Sequence, residues 1–316
     1  MMQPWSFGLP IQSHEHALPS RRSSFGIVRR TGVAVGFRAA TRALLLALAA
    51  AVAQTVSTVA TAQANPPKDR TPERAFTARA DAREATRFSA CREHFAHGEP
   101  PRIDPQRIPS ALRELCFEAF AILHSGQSRT PVFVAQRLNQ QSLEAAVAVQ
   151  RGDRFYAEAR LPQSERAQLE DYHGSGWDRG HMAPAGDMPS AAAMTQSFSL
   201  ANMVPQAREL NRGVWADYEK ATRRYVRRVT GDVYVITGPY YRERSAAARA
   251  IGRSPVLIPD AVFKLVYDPA RRKAWAFWAE NRDDTRAAQP ISLQTLSERL
   301  GHDFFPTVDH ARLESP

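Results

Sequence analysis

Two stretches of the 316-residue chain hold side chains whose types and spacing could do chemistry. The first, Trp177-Asp178-Arg179-Gly180-His181-Met182-Ala183-Pro184, sets an acid, a base, a glycine and an imidazole in four consecutive positions. The second runs from Asn202 through Pro205 and Gln206 to Asn211, Trp215 and Glu219, with Arg223 four residues further on. A neutral imidazole is the usual base for taking a proton from water near ambient pH. A hard divalent cation neutralises charge building on phosphate oxygens, and one or two protein oxygens suffice to hold it among its waters. An asparagine carbonyl is such an oxygen. Together these are the requirements of phosphodiester hydrolysis, with arginines to grip the phosphate.

Each residue also has a plainer reading. A histidine beside glycine is often structural, and Asn211 could be a helix cap. Glu219 and Arg223 could form a surface ion pair, and Arg223, Arg224, Arg227 and Arg228 a solvated helix face. Spacing alone leaves these alternatives open.

The elements that must position the residues are partly readable. Residues 211–228 form the clearest helix, on which Asn211, Trp215 and Glu219 fall within roughly 80° of one another. Asn211 at its start would lie near the positive end of the helix dipole, where a phosphate is favoured. Residues 131–138 and 232–237 read as strands, the second ended by Gly238-Pro239. Residues 262–267 and 273–279 frame a turn at 268–272, and 293–300 is a short helix ended by Gly301. From 112 to 123 the apolar positions are too dense to separate helix from strand. Strands around one long helix predict an α+β fold.

Composition is that of an ordinary globular protein, with 43% hydrophobic and 23% charged residues, which excludes wholesale disorder. The formal charge of +10 is compatible with a polyanionic partner without requiring one. The uncharged run at 43–53 follows Arg38 and Arg42 and precedes Ala62-Gln63-Ala64, the pattern of a cleaved signal peptide with a long n-region. The run is short and alanine-rich for a spanning anchor. Removal of residues 1–64 would take away six arginines and Glu15, leaving a mildly basic chain. The expected organisation is thus a targeting segment at 1–64, a polar linker at 65–90 and a folded domain at 91–310. The expected location is periplasmic or secreted, with no stable membrane partner after cleavage. Cys91 and Cys116 fit one disulfide closing a short loop in an irregular stretch at 91–116, the alternative being two buried thiols.

The Asp178-Arg179-Gly180-His181 run resembles the DRGH signature of the DNA/RNA non-specific endonuclease family, the ββα-metal nucleases that include endonuclease G. The pattern N-x-x-P-Q-x-x-x-x-N-x-x-x-W-x-x-x-E from Asn202 to Glu219 is similar to that family's metal-binding helix. Residues 233–239 look like its next strand and turn, and Phe304-Phe305-Pro306 like its C-terminal ending, so the resemblance spans about 91–306. It implies a ββα-metal fold with a central mixed or antiparallel sheet and a long catalytic helix. It further implies Mg²⁺, with Mn²⁺ able to substitute, and DNA and RNA held by their phosphate backbone. By the same resemblance His181 activates water, Asn211 binds the metal, Glu219 orients its water shell and Arg223 stabilises the transition state. Asn202 supports the site from the hairpin, while Asp178 and Arg179 shape the strand presenting His181. An upstream arginine, Arg151 or Arg154, contacts phosphate, and a homodimer is compatible with all of this. Two other functions remain open: a phosphodiesterase or nucleotidase on small substrates, and a catalytically silent nucleic-acid-binding module.

Overall fold

Residues 261–268 (AVFKLVYD) are buried along their whole length, as a strand covered on both faces must be. This strand sits inside an antiparallel sheet described, with the rest of the fold, by a computed structural model that covers residues 88–242 and 248–314. The strands in chain order are β1 (Leu112–Cys116), β2 (Ala121–Ser125), β3 (Thr130–Leu138), β4 (Asp178–His181), β5 (Met203–Gln206), β6 (Val233–Tyr240), β7 (Ala250–Ile251), β8 (Val256–Leu257), β9 (Ala261–Asp268), β10 (Lys273–Glu280) and β11 (Ile291–Ser292). Seven of them form one sheet in the order β1-β2-β3-β6-β9-β10-β11, and β4 pairs with β5 apart from it. The expected targeting segment and most of the expected linker lie outside the described residues.

The helices are α1 (Gln140–Val147), α2 (Leu169–Tyr172), α3 (Ala191–Ser197), α4 (Arg208–Leu210), α5 (Ala216–Val226) and α6 (Leu293–Leu300). A π turn, Asn211–Trp215, joins α4 to α5, so the long helix starts at Arg208 and not at Asn211. Ser292 caps α6 through the Thr295 amide, and Gly301 ends it at φ 71°, a left-handed conformation that favours glycine.

Period-2 alternation divides the core. Ile122 and Val134 face the side that carries β4, β5 and α5, where Met182, Met188, Trp215 and Tyr218 pack on them. Leu123, Phe133, Phe263 and Leu265 face the other side, against Phe88, Phe95, Leu293, Leu296, Leu300, Phe304 and Phe305. Phe88 falls in the stretch read as linker, yet it is buried, so the folded part begins before Cys91.

Other departures from the sequence reading have local causes. The stretch at 91–116 is not wholly irregular, because three short 3₁₀ turns lead into β1, and Cys91 and Cys116 are joined by a disulfide. The dense apolar run at 112–123 enters a hairpin, β1 pairing with β2 from Leu112↔Ser125 to Cys116↔Ala121. Strand β6 continues through Gly238-Pro239, which pair with Phe263 and Val262 on β9. Pairing with β3 has ended at Thr237, so the N–H that Pro239 lacks is not needed on that side.

Candidate active site

The β4–β5 hairpin and the α4–π–α5 helix meet at a cleft of about 480 Å³ on one side of the sheet. Its lining includes Arg151, Asp178, Arg179, His181, Asn211, Glu219 and Arg223. Strand β4 presents His181 opposite Met203, and Gly180 is required because a Cβ there would run into the Gln206 side chain. The His181 ring packs against Phe198 at 5.1 Å and Phe155 at 5.8 Å between centroids. Its Nε2 is shut from solvent without a partner among the described residues, so Nδ1 is the nitrogen that can reach a water in the cleft. Burial, helped by the charge of Arg151, pushes the imidazole down to about 3. It is therefore neutral, the form in which a histidine can accept a proton.

Asn211 is turned by Asp178. Its Nδ2 donates to Asp178 Oδ2 at 3.1 Å, and a carboxylate can only accept, so the amide is fixed with Oδ1 as its remaining acceptor. Asp178 is itself held by a two-pronged bond from Arg212, at 2.9 and 3.1 Å, and by Arg208 at 3.6 Å. The carboxylate thus acts on the α4–π–α5 helix as well as on the strand that carries it. Asn211 has helical angles, φ −57° and ψ −44°, which excludes the reading of it as an N-cap and places it in the first turn of a helix that starts at Arg208. The π turn matters instead. One extra residue in the turn makes Asn211 and Glu219 lie as if seven apart, about 20° from alignment rather than 80°.

Glu219 makes no hydrogen bond among the described residues, and burial raises its carboxyl to about 7, with Asp187 adding and Lys264 and Arg223 opposing. Arg223 does not pair with Glu219. Its Nη1 donates to Asp187 Oδ1 at 2.9 Å, and both side chains are largely buried. Arg179 reaches the cleft while its guanidinium stacks on Phe155 at 5.0 Å and Tyr172 at 5.5 Å. Arg151 lines the cleft, whereas Arg154 lines a neighbouring groove with His173 and Leu169.

Asn202 stands apart, fully buried and outside the cleft. Its Oδ1 accepts from the Ala183 amide, and its Nδ2 donates to the Ala183 and Ser197 carbonyls, each at 2.9 Å. It locks the segment that follows His181. Sequence reasoning passed over Asp187 and Lys264. Their signals were an acid six residues beyond the histidine and a lysine inside the apolar strand VFKLVY.

Among the described residues no group of three or more His, Cys, Asp or Glu side chains could hold a metal ion. A cation here would take few protein ligands and keep most of its waters, as Mg²⁺ commonly does. The free Asn211 oxygen and the unpartnered Glu219 carboxylate fit that demand.

Nuclease 1, mitochondrial, of Schizosaccharomyces pombe is 31% identical over 227 residues, 69% of this chain and 64% of the relative. Nuclease EXOG, mitochondrial, of Homo sapiens is 31% identical over 61% of this chain and 57% of its own length. Nuclease C1 of Cunninghamella echinulata is 32% identical over 62% of this chain and 84% of its own. The chain thus spans about 57 to 64% of the two mitochondrial relatives. Their names, with those of the Saccharomyces cerevisiae mitochondrial nuclease and the Xenopus laevis EXOG, overturn the expectation of a periplasmic or secreted protein. A solved structure of the EndoG/EndoGI complex superposes with a TM-score of 0.57 at 23% identity, covering 66% of this chain and 91% of that one, and shows the same ββα-metal fold. The profile of DNA/RNA non-specific endonucleases matches residues 104–311, and the chain belongs to that family.

Proposed function

We propose that the chain is a Mg²⁺-dependent endonuclease that hydrolyses phosphodiester bonds in DNA and RNA, its catalytic domain covering the expected 91–310 and reaching upstream to Phe88. The observation that carries this reading is the arrangement of Asp178, Asn211 and His181. Asp178 takes the Asn211 amide nitrogen and leaves a hard carbonyl oxygen for the cleft that a neutral His181 also lines. When bound, Mg²⁺, or Mn²⁺ in its place, supplies Lewis-acid stabilisation of phosphate charge. His181 takes the proton of the attacking water, and Glu219 accepts hydrogen bonds from water near Asn211. Arg223, braced by Asp187, faces phosphate oxygens where charge builds, with Arg179 and Arg151 on the approach. Asn202 acts through the backbone it holds. These contacts address phosphate, which DNA and RNA share, and carry no base information, so cleavage is not sequence-specific. The names of the relatives support a mitochondrial location.

Digestion of supercoiled plasmid and of single-stranded RNA, with Mg²⁺ and with EDTA, tests the reading. Closed circles nicked and then linearised, RNA degraded, and both stopped by EDTA are the expected results. Hydrolysis of a small phosphodiester with both polymers intact would assign a small-substrate phosphodiesterase. Binding without cleavage would make the chain a silent nucleic-acid-binding module.

A further inference from the structure

Lys264 lies on β9 between Val262 and Val266, on the face of the sheet beneath the cleft, with 1% of its surface exposed. A lysine in an apolar core position is costly unless its charge is matched and its protons are donated. Its Nζ donates to Thr237 Oγ1 at 2.8 Å and to the Met182 carbonyl at 3.5 Å, and stands 5.4 Å from the centre of the Trp215 ring. Met182 follows His181, and Trp215 lies between Asn211 and Glu219 on the helix. Trp215 in turn donates through Nε1 to the His181 carbonyl at 3.4 Å. One ammonium therefore touches the sheet, the hairpin and the helix where they converge.

Two acids, Glu219 and Asp187, face Lys264 and Arg223, with Arg151 a third cation that acts on Glu219 from the cleft. Arg223 is committed to Asp187, and Lys264 is the cation that acts most strongly on Glu219, ahead of Arg151.

Resting on the function proposed above, we propose that Lys264 is a positioning residue of the hydrolytic site: its buried ammonium pins the histidine hairpin and the metal-site helix to the central sheet and supplies the positive charge facing Glu219. It touches neither substrate nor metal. It acts through Met182, Trp215 and Glu219.

The test compares full-length wild type, Lys264→Met, Lys264→Gln and Lys264→Arg in melting temperature, duplex-cleavage kinetics and Mg²⁺ requirement. Methionine fills the volume without charge, glutamine keeps a donor without charge, and arginine keeps the charge. An uncharged isostere at a buried ionic site is often tolerated by the fold. Lys264→Met and Lys264→Gln should melt within a few degrees of wild type, lose about tenfold or more in kcat at unchanged KM, and need more Mg²⁺ for half-maximal rate. Lys264→Arg should recover a substantial part of kcat. Wild-type kcat in an uncharged variant overturns the proposal. So does a loss that only follows a lowered melting temperature, or failure of both uncharged variants to fold, since Lys264 is then structural. A wild-type chain without Mg²⁺-dependent cleavage removes the proposed function, and the proposal with it, and the wild-type arm reads that separately.

Discussion

The two faces of the sheet are built to different standards. On one, Phe88, Phe95, Leu293, Leu296, Leu300, Phe304 and Phe305 close a hydrocarbon core beside the Cys91–Cys116 bridge. On the other, the apolar packing is interrupted by a buried lysine, two acids, an arginine and an imidazole whose Nε2 has no partner among the described residues. Burying polar groups costs free energy that a filled apolar core would not lose. The first face supplies stability, and the second spends some of it to hold charge and dipoles in place. Changes on the first face should therefore be read in melting, and changes on the second in rate.

The largest effect expected is from His181→Ala. Loss of the base should lower kcat by about 10³-fold or more, while the melting temperature holds or rises because an unsatisfied buried nitrogen is gone. Retention of a tenth of wild-type kcat would remove His181 from the base role and blur the contrast between the faces.

Leu296→Ala is the converse. The side chain is completely buried on the hydrocarbon face, so truncation should cost about 3 kcal/mol of stability. Activity per folded molecule should not change. A fall in kcat well below the melting transition would show that the two faces are coupled.

Acid should also act through stability. His124 is buried on β2, and burial pushes it from 6.5 to about 4 although its Nε2 donates to the Glu165 carbonyl at 3.0 Å. The fold holds it neutral. That stability is present above the unfolded value of 6.5 and is lost as pH falls towards the folded value near 4. The loss should reach about 3 kcal/mol. Denaturation at a series of pH values should show it, and His124→Gln, which keeps a donor without a titrating ring, should flatten the profile. An equally steep profile in that variant would place the acid sensitivity elsewhere.

Asp178→Ala should be the mildest on the polar face. Without the carboxylate the Asn211 amide is free to rotate, and outer partners of this kind typically matter about 10- to 100-fold. The rate at limiting Mg²⁺ should fall by about tenfold and recover in part at saturating Mg²⁺. An unchanged Mg²⁺ dependence would mean that Asp178 does not orient Asn211.

The hydrocarbon face was the more legible in sequence. The β9–β10 hairpin follows from two apolar runs framing the turn at 268–272, and α6 from its periodicity and terminal Gly301. Strand β2 was hidden because burial on both faces erases alternation. Gly238-Pro239 looked like an end, but its meaning depends on which neighbour strand has already stopped. On the polar face, His181 and Asn211 were marked by their motifs. The π turn that brings Asn211 into line with Glu219 left no such signal, nor did the pairing of Arg223 with Asp187 in place of Glu219. Those features depend on partners distant in the chain, which spacing within one helix cannot show.

Everything on the polar face turns on whether the hairpin and helix meet around a hydrated cation held by the Asn211 carbonyl. Mn²⁺ binding to the nucleic-acid-free protein, followed by electron paramagnetic resonance in wild type and Asn211→Ala, tests this without relying on turnover. One bound ion in wild type, displaced by Mg²⁺ and lost or much weakened in Asn211→Ala at an unchanged melting temperature, is the expected result. Equal Mn²⁺ binding by both proteins would rule Asn211 out as the ligand.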